Sequence, residues 1–146
     1  MILKNIKAPT IAKEKYKWSN QIHNKLSYEL WVNFIDDNQD YFTWLESTEI
    51  GKERLLNIDN IPISFRKGTL EQLQKGQALA EYNEKKGYHE IIIDFHKEFG
   101  MVHTTFMKPI TKDHLRILLD MANYLEAYLL NNGTEIIDEK ALESLK

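Results

Sequence analysis

The runs HEIIIDFH at 89–96 and MVHTTFM at 101–107, with Lys97, Glu98, Phe99 and Gly100 between them, decide how this chain folds. Both are rich in β-branched and aromatic residues, and the spacer ends in Gly, so they read as the two arms of a β-hairpin. For the sheet to have one apolar face, Ile91, Ile93 and Phe95 must meet Val102, Thr104 and Phe106, which needs a loop with an even number of residues. A two-residue loop sets His96 opposite His103, and a four-residue loop sets Asp94 opposite His103. The competing geometry is a three-residue loop with Gly100 in a bulge, which would set Phe95 beside His103.

Downstream, Thr111 can cap a helix, Asp113 suits its first turn, and Leu115, Leu118, Ala122, Leu125 and Leu129 repeat at alternating three and four. This spacing predicts a long helix over 112–131, widened by Ile117, Met121, Tyr124 and Tyr128 and closed by Asn131, Asn132 and Gly133. The tail from Thr134 reads as a short, loosely docked helix. Upstream of the hairpin, Thr69 and Gln72 form a capping box and Lys85, Lys86 and Gly87 suit a helix end, so a surface helix is expected between them.

Farther back, Leu26, Tyr28, Leu30, Val32 and Phe34 alternate over 25–36 and predict a strand, with Trp31 and Ile35 on its other side. Residues from Asp40 to about Thr48 read as a helix with Tyr41, Trp44, Leu45 and Thr48 on one face. Gly51 and residues 57–62 argue for a break and a loop. Residues 8–26 suit helix and strand equally. The sum is an α+β fold: a small antiparallel sheet including the hairpin near 89–107, packed against a helix near 112–131, with further surface helices. At 146 residues the chain fits one domain, 1–146, with its ends expected to be loosely ordered.

Composition narrows the function classes. With no cysteine there is no disulfide, thiolate metal ligand or Cys nucleophile. The opening MILKNIKAP lacks the apolar core of a signal peptide, and no window approaches the ~18 apolar residues of a membrane span, so the cytoplasm is the expected address. Net charge is -3, and 16 of the 19 basic residues are Lys, which disfavours nucleic acid because Arg is the usual bidentate reader of phosphate and guanine. Phosphate-loop, dinucleotide, H-E-x-x-H and G-x-S-x-G patterns are absent, and no cofactor is expected. Asp36, Asn38 and Asp40 open like a calcium loop, but Tyr41 stands where Gly is needed and Ser47 where a bidentate Glu belongs.

Two constellations remain. Either even-loop register puts Asp94, His96, His103 and Thr105 on the hairpin face away from Ile91, Ile93 and Phe95. Two imidazoles and a carboxylate suit a metal-dependent or histidine-dependent enzyme. A solvated face of an antiparallel pair explains the same residues.

The second is electrostatic: residues 36–60 hold seven carboxylates against Lys52 and Arg54, while residues 1–35 hold six Lys against Glu14 and Glu29. Asp36, Asp37, Asp40 and Glu46, with Tyr41 or Phe42 as an exposed ring, suit recognition of a basic protein surface. A helix whose rings face the domain's own core is the competing explanation. The leading expectation is a noncatalytic cytoplasmic module that binds another protein. It is similar to toxin-neutralising immunity proteins in size and acidity alone, and no motif carries the likeness. The alternatives are the enzyme built on Asp94, His96 and His103, and a structural or adaptor subunit of a homo-oligomer.

Overall fold

The computed structural model describes residues 1–146. Along it lie β1 (Thr10–Ala12), α1 (Tyr28–Asp36), β2 (Phe42–Trp44), α2 (Glu49–Leu56), α3 (Ile63–Leu73), β3 (Gln77–Asn83), β4 (Tyr88–His96), β5 (Met101–Phe106), α4 (Lys112–Tyr124), β6 (Tyr128–Asn131), β7 (Glu135–Ile136) and α5 (Glu139–Ser144). The fold is α+β, with one antiparallel sheet of seven strands in the order β2-β3-β4-β5-β1-β6-β7. β4 and β5 pair Ile91 with Phe106, Ile93 with Thr104 and Phe95 with Val102, the register of the four-residue loop. Gly100 takes φ 66 at its close, where a side chain would also run into Lys25.

One face of the sheet carries Ile11, Phe42, Trp44, Ala78, Ala80, Ile91, Ile93, Phe95, Val102 and Leu129. Against it lie Trp31, Phe34 and Ile35 of α1 and Leu115, Leu118, Leu119, Met121 and Ala122 of α4. The opposite face is covered only in patches. Leu45 and Leu73 sit over Leu79 near β2, and Ile22 sits with Ala12, Met101 and Leu130 near β1.

Several expectations are corrected. The helix at 112–131 ends at Tyr124. Leu125 caps it, Glu126 turns left-handed at φ 52, and the amides of Glu126 and Ala127 close onto the carbonyls of Asn123 and Ala122. Residues Tyr128–Asn131 then leave as β6, pairing with β1 and burying Leu129 and Leu130. Asn132 and Gly133, at φ 58 and 76, turn that strand into β7 instead of ending a helix.

The strand expected over 25–36 is α1: the Ser27 hydroxyl accepts the Leu30 amide, and Trp31, Phe34 and Ile35 share the buried face at helical spacing. Residues 42–44 form β2 where a helix was expected. Likewise, the helix expected to start at Thr69 does not form: Thr69 lies inside α3, its hydroxyl donating to the Phe65 carbonyl, and residues 77–83 are β3. Gly51, read as a break, is inside α2, where its missing side chain lets the helix lie against the Leu45 carbonyl. The tail does form a helix, α5. Ile137, Leu142 and Leu145 join the main core, and the Leu3 amide donates to the Lys146 carbonyl.

Candidate functional site

The register places Asp94 directly across from His103. Asp94 accepts from the Gln77 amide at 2.7 Å, so its carboxylate is tied to β3. His96 and His103 stack face to face, 4.1 Å between ring centres with 19° between planes. Burial, reinforced by neighbouring His96, holds His103 below the usual histidine range, although Asp94 pulls the other way. Imidazole lone pairs lie in the ring plane, so two near-parallel rings do not aim at a common ion. No group of three or more His, Asp or Glu side chains is arranged to hold a metal. Thr105 is exposed beside them.

The acidic segment divides differently from expectation. Phe42, a candidate exposed ring, is 1% exposed and belongs to the main core. Tyr41 is half-buried, edge-on to Phe42, with its hydroxyl on Glu81. Asp36 accepts the Trp44 indole at 2.8 Å and the Lys75 ammonium at 3.2 Å, and the indole bond first, then Lys75, holds its carboxyl below the ordinary range against the effect of burial. One Glu46 oxygen accepts the Lys75 amide at 2.7 Å and the other is buried. Of Asp36, Asp37, Asp40 and Glu46, only Asp37 and Asp40 are exposed without a partner, since Asp36 and Glu46 are bonded within the chain.

A polar centre that the sequence did not reveal lies around Glu81. This residue takes φ 55 in the middle of β3, a backbone state that costs an ordinary side chain about 1 to 3 kcal/mol. Its carboxylate receives the Tyr41 hydroxyl at 2.6 Å, His114 Nε2 at 2.7 Å and the Lys108 ammonium at 2.7 Å. The His114 ring accepts the Thr111 amide through Nδ1, so Nε2 carries the proton and donates. Burial raises the Glu81 carboxyl, but Lys108, Tyr41 and His114 together hold it below the ordinary range. Burial and the facing Glu81 raise the Tyr41 hydroxyl. Both Glu81 oxygens are engaged, so the arrangement suits a staple joining β2, β3 and α4 better than a base with a free lone pair.

A cluster of exposed apolar side chains lies on the limb formed by α2, α3 and the turn between them. Its apolar side chains point outward: Leu56 is 86% exposed, Ile63 80%, Phe65 66%, Ile50 50% and Leu55 44%. Inward, the limb is anchored mainly through Leu73 on Leu45 and Leu79 and by the close approach of Gly51 to Leu45. Between limb and sheet runs a groove of about 600 Å³, floored by Leu79, Ile92 and Met107 and edged by Tyr82, Tyr88 and Arg54. Glu49, Glu53 and Asp59 are exposed on the same limb. The sequence held a signal for this surface, because 55–65 carries Leu55, Leu56, Ile58, Ile61, Ile63 and Phe65 without the period that would bury them on one face.

No family model, no curated protein and no solved structure matches this chain. No helix is long and apolar enough to cross a membrane.

Proposed function

We propose that the protein is a noncatalytic cytoplasmic module that docks another protein, and that the limb of α2 and α3 is the docking surface. One observation carries the reading: Leu55, Leu56, Ile63 and Phe65 are all more than two-fifths exposed within eleven residues. Large apolar side chains exposed this densely suit a surface that a partner covers. Charge specifies the partner. Residues 36–60 carry seven carboxylates against two basic side chains, and with Asp36 and Glu46 bonded within the chain, Asp37, Asp40, Glu49, Glu53 and Asp59 remain exposed to attract a basic protein, while Arg66 and Lys67 of α3 bring the limb itself to charge balance. The scarcity of Arg, and Arg66 and Arg116 being already bonded within the chain, speaks against nucleic acid.

The test is to capture a partner from lysate of the source cells, purify it and measure association kinetics against salt. Association should slow as the Debye length falls from about 10 Å at 0.1 M to about 3 Å at 1 M. The reversals Asp37→Lys with Asp40→Lys, and Glu53→Lys with Asp59→Lys, should each slow association while leaving the urea midpoint in place. A rate indifferent to salt and to both reversals would overturn the reading, as would capture of nothing but a second copy of this chain.

A further inference from the structure

A second groove, adjoining the first at Met107, has a basic rim. The N-terminal segment lies beside the link from β5 into α4, and between them runs a half-open trough of about 690 Å³. Ile6, Phe106 and Ile110 form its floor, Lys4, Lys7 and Lys146 line its rim, and no Asp or Glu lines it. Lys108 also borders the trough, but Glu81 at 2.7 Å and Glu90 at 3.7 Å hold its charge. Lys4 and Lys7 have no ion-pair partner, so their charge is free for an occupant.

We infer that this trough is a second docking site, for an acidic segment of a partner protein that lays leucine or phenylalanine side chains on the floor and sets its carboxylates against Lys4 and Lys7. Shape and charge together choose that occupant. Small ligands are usually buried over about 70 to 90% of their surface, which a trough open along its length does not provide. A flat anionic bilayer is recognised by clusters of about four to eight basic residues on a convex or flat face, whereas here two free lysines flank a concavity. An acidic apolar peptide fits both the open shape and the cationic rim. Combined with the apolar limb elsewhere on the molecule, it would let one chain bridge two partners. The trough does not depend on the limb's function, and its test uses residues outside the limb.

The probe is a short fluorescein-labelled peptide alternating glutamate with leucine or phenylalanine, followed by fluorescence anisotropy against the full chain. A matched peptide with lysine for glutamate serves as the control. We expect the glutamate peptide to bind, added salt to weaken it, and the exposed pair Lys4→Glu with Lys7→Glu to weaken it about tenfold or more, equivalent to about 1.4 kcal/mol. Lys4→Gln with Lys7→Gln should fall between parent and reversal, with unchanged circular dichroism throughout. The proposal is overturned if the glutamate peptide does not bind, if the lysine peptide binds as well, or if the reversal leaves binding unchanged. It is equally overturned if vesicles of phosphatidylcholine with phosphatidylserine bind and the peptide does not. Light scattering that shows a dimer dissolved by the reversal, with no peptide binding, would assign the trough to a second copy instead.

Discussion

Two stretches of comparable length, 112–131 and 49–66, use their apolar residues in opposite ways. In the first, Leu115, Leu118, Leu119, Met121, Ala122, Leu125, Leu129 and Leu130 are all buried, and the stretch closes the core from both a helix and a strand. In the second, Ile50, Leu55, Leu56, Ile63 and Phe65 stay exposed. Burying a side chain of this size is worth roughly 1.5 to 3 kcal/mol, so the limb forgoes a stabilisation that the core stretch takes. Stability accounts for the first region and not for the second, whose exposed side chains suit contact with a partner.

The largest expected effect lies in the core stretch. Leu118→Ala and Leu125→Ala should each cost about 2 to 5 kcal/mol in urea unfolding, because both side chains are fully packed and their removal leaves a cavity. Losses below about 0.5 kcal/mol for both would erase the contrast between the regions.

Gly51→Ala comes next. Its methyl would collide with the Leu45 carbonyl, and overpacking of this kind costs about 1 to 3 kcal/mol. Because the limb is anchored to the sheet mainly through Leu73 on Leu45 and Leu79 and by the approach of Gly51 to Leu45, the damage should be local. Hydrogen exchange should rise over 45–73 while α4 keeps its protection. Equal loss of protection in α4 would mean that limb and core unfold as one unit.

Smaller again is a pH effect at Glu81. A carboxyl held low in the folded state contributes stability that is fully present above the unfolded value of about 4.3 and is lost as pH falls through the folded value. Glu81→Gln should therefore flatten the acid side of the stability profile. His103 is also lowered, so neutral imidazole is favoured by folding, and stability falls as pH drops below about 6.5. His103→Gln should remove that part of the decline, and a profile unchanged in both variants would contradict the electrostatic assignments.

What was legible in the sequence follows from period. Apart from Ile92, Met101 and Met107 the hairpin arms alternate, so the apolar face and an even loop could be read, and the structure selects the four-residue member of that pair. Thr111 and the repeat from Leu115 to Ala122 located α4. Its end was not legible because Leu125 and Leu129 continue the same spacing across a turn made by Glu126, a residue with no intrinsic preference for φ 52. In 25–36, two periods overlap: Leu26, Tyr28 and Leu30 alternate while Trp31, Phe34 and Ile35 keep helical spacing, and the Ser27 cap with Glu29 in the first turn was the discriminating signal. Thr69 and Gln72 imitate a capping box inside a helix that has already begun.

Sites were harder still. Asp94 and His103 were brought together as the register required, whereas Phe42 went into the core and Asp36 and Glu46 were claimed by Trp44 and Lys75. Glu81, Tyr41, Lys108 and His114 come from four separate places in the chain, and no local pattern announces their meeting.

The most direct measurement is equilibrium binding of the captured partner to the double variant Leu56→Ser with Phe65→Ser, with urea unfolding of the same preparation. Both side chains are exposed, so stability should stay within about 0.5 kcal/mol of the parent while affinity falls about tenfold or more. Unchanged affinity would contradict docking through the limb, and a loss of stability above about 2 kcal/mol would show that these side chains belong to the core after all.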